Sequence, residues 1–242
     1  MEKEQLNLNQ KKLRVVCISD THNDHDNISF IPDGDVLIHV GDITDTGTEF
    51  EIDLFSNWVS QFPHKYKIFV PGNHDLEFEK SPKTAEKALK NFIILNQTSV
   101  EIEGYTFWGS AFQPIYHDWA FGRTQEELRE KWDELENFGK VDVLLTHTPP
   151  YGILDTIITK DNKHIHVGCK ELLKTVSVVK PLFHVFGHVH ESYGIFKKDD
   201  LNTLFINASS VDKDYKAIQK PFVFDLGPNL LIPEEEWNPN KK

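Results

Sequence analysis

Cysteine is scarce: Cys17 and Cys169 are the only two in 242 residues, too few for a disulfide framework. Cys17 lies inside an apolar, β-branched run and reads as a small buried hydrophobe. Basic residues are also short, with 26 Lys and Arg against 38 Asp and Glu and a net charge of -12. A protein that coats duplex nucleic acid needs a basic face, and an anionic membrane repels a chain of this charge. Neither partner is expected; the oligomeric state is left open. Long apolar runs are missing, since no stretch approaches the roughly 20 residues that span a bilayer. Residues 1–12 hold no apolar core of signal-peptide length, so a reducing, cytoplasmic home is the expectation. Repeats, low-complexity tracts and linkers are absent as well. One domain over residues 13–232 follows, with polar tails over 1–12 and 233–242.

Short apolar runs, each ending in glycine or a polar cluster, are present in number. Leu13 to Ser19, Val36 to Val40, Tyr66 to Val70, Val141 to Leu145 and Leu182 to Phe186 read as buried strands. Further strands are expected at Phe92 to Leu95, Ser99 to Ile102, Tyr105 to Gly109, Thr203 to Ile206 and Phe222 to Phe224, with a hairpin turn at Glu103-Gly104. Helices are expected over Thr48 to Gln61, Pro82 to Leu89, Thr124 to Leu135 and Val167 to Val179. Thr48 is the expected N-cap of the first, and Phe50, Leu54, Phe55 and Trp58 its apolar face. Strand and helix alternate, which is the α/β pattern.

The strand ends carry the chemistry. Asp20 and His22 follow the first run, Asp42 the second, Asn73 and His74 the third, His147 the fourth, and His188 and His190 the fifth. Glycine beside most of them allows the sharp exit that turns a side chain over a strand end. In a parallel sheet these ends converge on one edge, where α/β proteins bind ligands. Oxygen and nitrogen donors in this number would hold two divalent ions, and two ions need a shared carboxylate to offset their repulsion. Asp42 is the natural bridge. Asp20, His22 and His190 would complete one ion; Asn73, His147 and His188 the other. The donor set suits Mn, Fe or Zn, with Mn the first choice in vitro, and the lack of thiolates argues against a structural zinc knuckle. Bound cations would let so acidic a chain accept an anionic substrate.

These motifs, Asp20-x-His22, Gly41-Asp42, Gly72-Asn73-His74-Asp75, His147 and Gly187-His188-Val189-His190, resemble those of the calcineurin-like metallophosphoesterase superfamily. A closer similarity is to the metallophosphoesterase-domain-containing proteins. It rests on Cys17-Ile18-Ser19-Asp20-Thr21-His22, His147-Thr148-Pro149-Pro150-Tyr151-Gly152, Val167-Gly168-Cys169-Lys170-Glu171-Leu172-Leu173, Val185 to Glu191 and Ile206-Asn207-Ala208-Ser209. The resemblance implies a four-layer αββα sandwich, two metals and phosphoester hydrolysis. The closer one implies a phosphodiesterase for small or cyclic nucleotides, working through a metal-bridging hydroxide. On that pattern Asn73 and the ions hold phosphate oxygens, His74 contacts substrate and assists the leaving group, and Asp45 pairs with His74 to orient it. Two departures stand out. Thr46 occupies the place where the superfamily's protein phosphatases have arginine, which counts against a phosphoprotein substrate. Asp75 stands where the closer relatives have glutamate.

Other readings compete. A phosphomonoesterase, or an interaction module that binds metal with little catalysis, could share the fold. Asp20-x-His22-x-Asp24-His25 differs from the metallo-β-lactamase signature at its first position only, and would make Asp24 and His25 ligands. Of the 12 histidines, His25, His39, His64, His117, His164, His166 and His184 read as structural or exposed, with His39 and His184 as satisfied core groups and His164 and His166 in a loop. Trp108, Phe112, Tyr116 and Trp119 could stack a nucleobase or pack the core, and Asn207 could support a ligand or cap a turn.

Overall fold

Residues 11–198 and 200–227 are described by a computed structural model. Of the two expected polar tails, only Lys11 and Lys12 fall within these residues; the stretch 233–242 lies outside them. In chain order the elements are β1 (Leu13–Ile18), β2 (Val36–His39), α1 (Glu49–Ser60), β3 (Tyr66–Phe69), α2 (Leu76–Lys80), α3 (Pro82–Ala88), β4 (Ile93–Ile94), β5 (Thr98–Ile102) and β6 (Tyr105–Ser110). There follow β7 (Gln113–Pro114), β8 (Gly122–Arg123), α4 (Gln125–Phe138), β9 (Val143–Thr146), β10 (Thr156–Ile158), β11 (His164–His166), α5 (Lys170–Val179), β12 (Phe183–Phe186), β13 (Gly194–Lys197), β14 (Leu204–Asn207) and β15 (Phe222–Leu226).

β2, β9, β12 and β14 are buried at every residue, as strands of a parallel sheet covered on both faces must be. They do not share one sheet. The first sheet runs β15-β1-β2-β3-β4 and the second β13-β14-β12-β9-β6-β5. The interior strands of each are parallel, and the antiparallel strands β15, β13 and β5 sit at the sheet edges. One apolar core, including Val15, Ile38, Phe107, Val185 and Phe224, fills the space between the sheets. A second, built on Trp108, Trp132, Leu144, Leu172 and Phe205, lies under α4 and α5. With α1 and α3 on the far side this is an αββα sandwich in four layers. The expectation of a single sheet edge is thereby corrected: β1, β2 and β3 deliver their ends from one sheet, β9 and β12 from the other. Hydrophobic runs identify strands, but they carry no mark of sheet membership. Where the sheets meet, Ser19 and Ser209 form a parallel bridge, and Ser210 N–H donates to the Ser19 carbonyl at 2.7 Å.

Thr48 caps α1 in a capping box with Glu51, and Thr124 caps α4 likewise with Glu127. The buried face of α1 is Ile52, Phe55, Ser56 and Val59; Phe50 and Leu54 are 70% and 43% exposed. The helix carries two apolar stripes, and its spacing does not say which one meets the sheet. Helix α5 starts at Lys170 rather than Val167, because Cys169 is its extended N-cap and pairs with Pro150, and Cys169 N–H donates to the Pro149 carbonyl at 2.9 Å. His164 and His166 belong to a hairpin, β10 with β11, not to a loop.

Candidate metal centre

The loops leaving β1, β2 and β12 are strained in a way that aims side chains. Asp20, His22, Asp42 and His188 have φ of 49°, 40°, 58° and 69°, the left-handed region that non-glycine residues seldom occupy. The strain is held by hydrogen bonds. Asp20 N–H donates to the Gly41 carbonyl at 2.9 Å and His22 N–H to the Asp42 carbonyl at 3.1 Å. His188 N–H donates to the Asp20 carboxylate at 3.0 Å. Neighbouring glycines allow close approach. A Cβ on Gly187 would overlap the Asp20 carboxylate, one on Gly72 the Asp42 carboxylate, and one on Gly41 the His147 ring.

Asp20, His22, Asp42, Asn73, His147, His188 and His190 come together where the ends of the two sheets meet. Three sets of donor atoms each lie within 4.8 Å of one another: Asp20, His22 and His190; Asp42, His147 and His188; and His22, Asp42 and His74. Asp42 Oδ2 is 3.2 Å from His147 Nε2 and 3.6 Å from His22 Nε2, so one carboxylate faces both groups. Asp20 Oδ1 is 3.5 Å from His190 Nε2.

The donor set fits a divalent cation. His147 Nδ1 lies 2.9 Å from the Val40 carbonyl, an acceptor that requires the proton on Nδ1. A neutral His147 would then turn an Nε2 lone pair toward Asn73 Oδ1 at 2.9 Å and Asp42 Oδ2 at 3.2 Å, and three acceptors in mutual contact need a positive charge between them, a proton or a metal ion. The same demand appears at His22, whose buried Nε2 has no hydrogen-bond partner while Nδ1 meets Asp45 Oδ1 at 3.2 Å. Protons report this field. Burial would depress the His147 imidazole, but the Asp42 carboxylate outweighs burial and lifts it to about 9. Burial likewise opposes, and Asp45 and Asp42 win, at His22, whose imidazole is raised. Burial alone would raise the Asp20 carboxyl; His190 and the other imidazoles hold it well below the carboxylate range. A metal ion would displace protons from these positions.

A layer of residues fixes the ligands, and sequence reasoning gave most of it no role. Asp75, wholly buried, accepts from Asp42 N–H and Gly72 N–H at 2.8 Å each and from the Thr44 hydroxyl at 2.9 Å. It clips the Gly41-Asp42 loop to the Gly72-Asn73 loop. Burial, then the Asp42 charge, raise its carboxyl to about 7. The Ser209 hydroxyl lies 2.8 Å from Asp20 Oδ2, and Asn207 Oδ1 accepts from Ser209 N–H at 3.2 Å. Asn207 therefore supports a ligand through Ser209. Glu51 accepts from Asn23, Asp45, Thr46 and Thr48, tying the Asp42–Thr48 loop to α1. The Thr46 hydroxyl is one of these donors, at 2.8 Å.

Asp45 is placed differently from the expectation. Its carboxylate meets His22 and Asn23, and its backbone carbonyl, not its side chain, takes the His74 Nδ1 contact at 2.7 Å. Orientation of that ring falls to the main chain. Trp119 packs on the His74 ring with centroids 4.0 Å apart. Of the other aromatic residues, Trp108 is core and Phe112 is partly buried against it, while Tyr116 lines the cleft. Asp24 and His25 stand apart from the donor sets: Asp24 Oδ2 accepts from Ala217 N–H at 2.8 Å, and His25 packs against Phe55 and Trp58. In the core, His39 is bonded at both nitrogens. His184 bonds Thr146 through Nε2 alone, and its Nδ1 is unpartnered.

The cleft over this centre encloses about 500 Å³. Two sheets whose strand ends face a set of carboxylates and imidazoles define the architecture of a metallohydrolase. The family model for calcineurin-like phosphoesterases matches residues 13–192, and the chain belongs to that family. A UPF0046 protein of Caenorhabditis elegans is 40% identical over 233 residues, covering 90% of this chain and 77% of the relative. Human metallophosphoesterase domain-containing protein 1 is 38% identical over 238 residues, covering 88% of this chain and 71% of its own length. The crystal structure of TT1561 of Thermus thermophilus shares the fold at a TM-score of 0.58 and 16% identity, covering 81% of this chain and 89% of that one. The family uses divalent metals and supports phosphoester hydrolysis as a general activity. Among the described residues no helix is long and apolar enough to cross a membrane.

Proposed function

We propose that this chain is a phosphodiesterase holding two divalent ions, Mn, Fe or Zn, and acting on small phosphodiesters such as cyclic nucleotides. The observation that carries the reading is the position of Asp42, whose Oδ2 faces His147 on one side and His22 on the other. Asp20, His22 and His190 would hold one ion, Asn73, His147 and His188 the second, and Asp42 both. When bound, the ions supply positive charge to phosphate oxygens and a water activated near neutral pH. The chain's residues do the rest. Asn73 holds its amide oxygen toward the His147 side of the centre, and His74 stands at the cleft wall with its ring fixed by the Asp45 carbonyl and Trp119. From there it can give a proton to the departing oxygen.

Diester preference is supported by Thr46. Where an arginine would add charge for a dianion, Thr46 instead binds Glu51. A diester monoanion needs less positive charge around it than a monoester dianion. With Mn added, turnover of bis-p-nitrophenyl phosphate is expected to exceed that of p-nitrophenyl phosphate. The reverse ranking under the same metal would overturn the preference, and no hydrolysis of either would overturn the assignment.

A further inference from the structure

The turn over residues 211–217 is closed by its own hydrogen bonds and contributes Lys213 and Tyr215 to the cleft lining. Asp212 organises it: its Oδ1 accepts from Asp214 N–H at 2.9 Å and Lys216 N–H at 3.1 Å, and its N–H donates to the Lys216 carbonyl at 3.0 Å. Val211 pairs with Ala217 across the base. Asp24, two residues past His22, holds Ala217 N–H from one side. Gln219, just beyond the turn, reaches the His190 carbonyl at 3.3 Å from the other. Both anchors lie in loops that carry the candidate ligands, so the turn is registered on the centre itself.

Tyr215 sits in this turn at φ 59°, a conformation that costs a non-glycine residue energy. Its ring makes edge contacts with His22 at 4.9 Å and His190 at 5.0 Å. The strain is compensated by seating the turn on those two imidazoles. Lys213 precedes Tyr215 by two residues and lines the same cleft as His22, Asp42 and His190. It is the one Lys or Arg among the described residues lining that cleft. Lys213 is exposed, and the neighbouring Asp212 carboxylate, whose acidity Lys213 helps to strengthen, has its Oδ1 engaged with the backbone of the turn.

We propose that Lys213 is the phosphate-gripping cation of this site, carried into the cleft by the 211–217 turn and supplying from there the side-chain charge that Thr46 does not. This rests on the phosphoesterase reading above and adds a substrate-binding residue to it. A single ammonium matches the single charge of a diester. Lys216, in the same turn and outside the cleft lining, is the internal control.

The test is calorimetric binding of inorganic phosphate to the full chain loaded with Mn, with metal content measured for every variant. Lys213→Ala should keep its metal and bind phosphate about fivefold more weakly, the scale of one partly exposed ion pair. Lys213→Arg should stay within about twofold of the starting chain, as should Lys216→Ala. The difference between Lys213→Ala and the starting chain should shrink as salt is raised, since an exposed charge is screened. Equal effects of Lys213→Ala and Lys216→Ala, or loss of metal in Lys213→Ala, would overturn the proposal while leaving the proposed function intact. A starting chain that holds its Mn and hydrolyses the diester but binds no phosphate would overturn the proposal alone, and one that holds its Mn, binds no phosphate and hydrolyses neither aryl ester would overturn both.

Discussion

Asp42→Asn is expected to leave the chain folded, with much less than two bound divalent ions and with phosphoester hydrolysis reduced roughly 10³-fold or more, the scale of several kcal/mol of lost charge stabilisation. Asp42 is 2% exposed, and each of its polar groups is committed. Its N–H donates to Asp75 at 2.8 Å, Oδ1 accepts from His74 N–H at 2.8 Å, and Oδ2 lies between His147 and His22. An amide of the same shape keeps the backbone contacts but removes the charge that both ions share. Both should therefore weaken together, where loss of His190 or His188 would weaken one. The fold should tolerate the change, because the variant removes a like charge from beside the buried Asp75 carboxyl, which Asp42 helps to push up. Metal analysis and far-ultraviolet circular dichroism on the same sample separate the two effects. Two ions held tightly by the variant would remove Asp42 from the bridging role.

The second large effect is expected at His74. His74→Asn should preserve the turn, because the His74 backbone N–H, not its ring, binds Asp42, and Asp75 N–H closes back on the Gly72 carbonyl at 3.2 Å. What is lost is an imidazole held by the Asp45 carbonyl and flanked by Trp119 and His22. With the proton of Nδ1 donated to that carbonyl, Nε2 is the nitrogen left to serve the cleft, and imidazole is the side chain suited to proton transfer near neutrality. Turnover should fall roughly 10²–10⁴-fold, with metal content unchanged. The loss should be smaller for substrates that release p-nitrophenol than for those with poorer leaving groups, which need the proton more. An equal loss for both, with metals kept, would mean that His74 stabilises phosphoryl oxygens instead. His74 also lies within reach of His22 and Asp42, so loss of an ion in this variant would make it a ligand and not a proton donor.

The sequence displays the parts of this site that depend on local pattern. Apolar runs ending in glycine or a polar cluster mark β1, β2, β3, β9 and β12, and the residues that follow each run are the ones that reach the centre. Thr48 is visible as a cap because a helix start needs an acceptor at that position. What stays hidden depends on contacts between distant segments. Nothing local to Ser209 tells that it will meet Asp20, 189 residues earlier, or that Asp75 will clip two loops together. The partner of His74 is a main-chain oxygen of Asp45, and backbone carbonyls leave no trace in residue identity. The buried face of α1 is ambiguous because Phe50 and Leu54 are as apolar as Ile52 and Val59. Hairpin β10–β11 is missed because β11, His164–His166, is exposed throughout and lacks a buried alternation to announce it. Lys213 and Tyr215 sit in a polar turn of ordinary composition, and only the anchors at Asp24 and Gln219 place them over the centre.

Anomalous diffraction from crystals of the Mn-loaded chain tests the shared role of Asp42 most directly. The expected result is two peaks about 3.5–4 Å apart, one against Asp20, His22 and His190, the other against Asn73, His147 and His188, with the Asp42 carboxylate touching both. A single peak, or two peaks that Asp42 does not join, would contradict it.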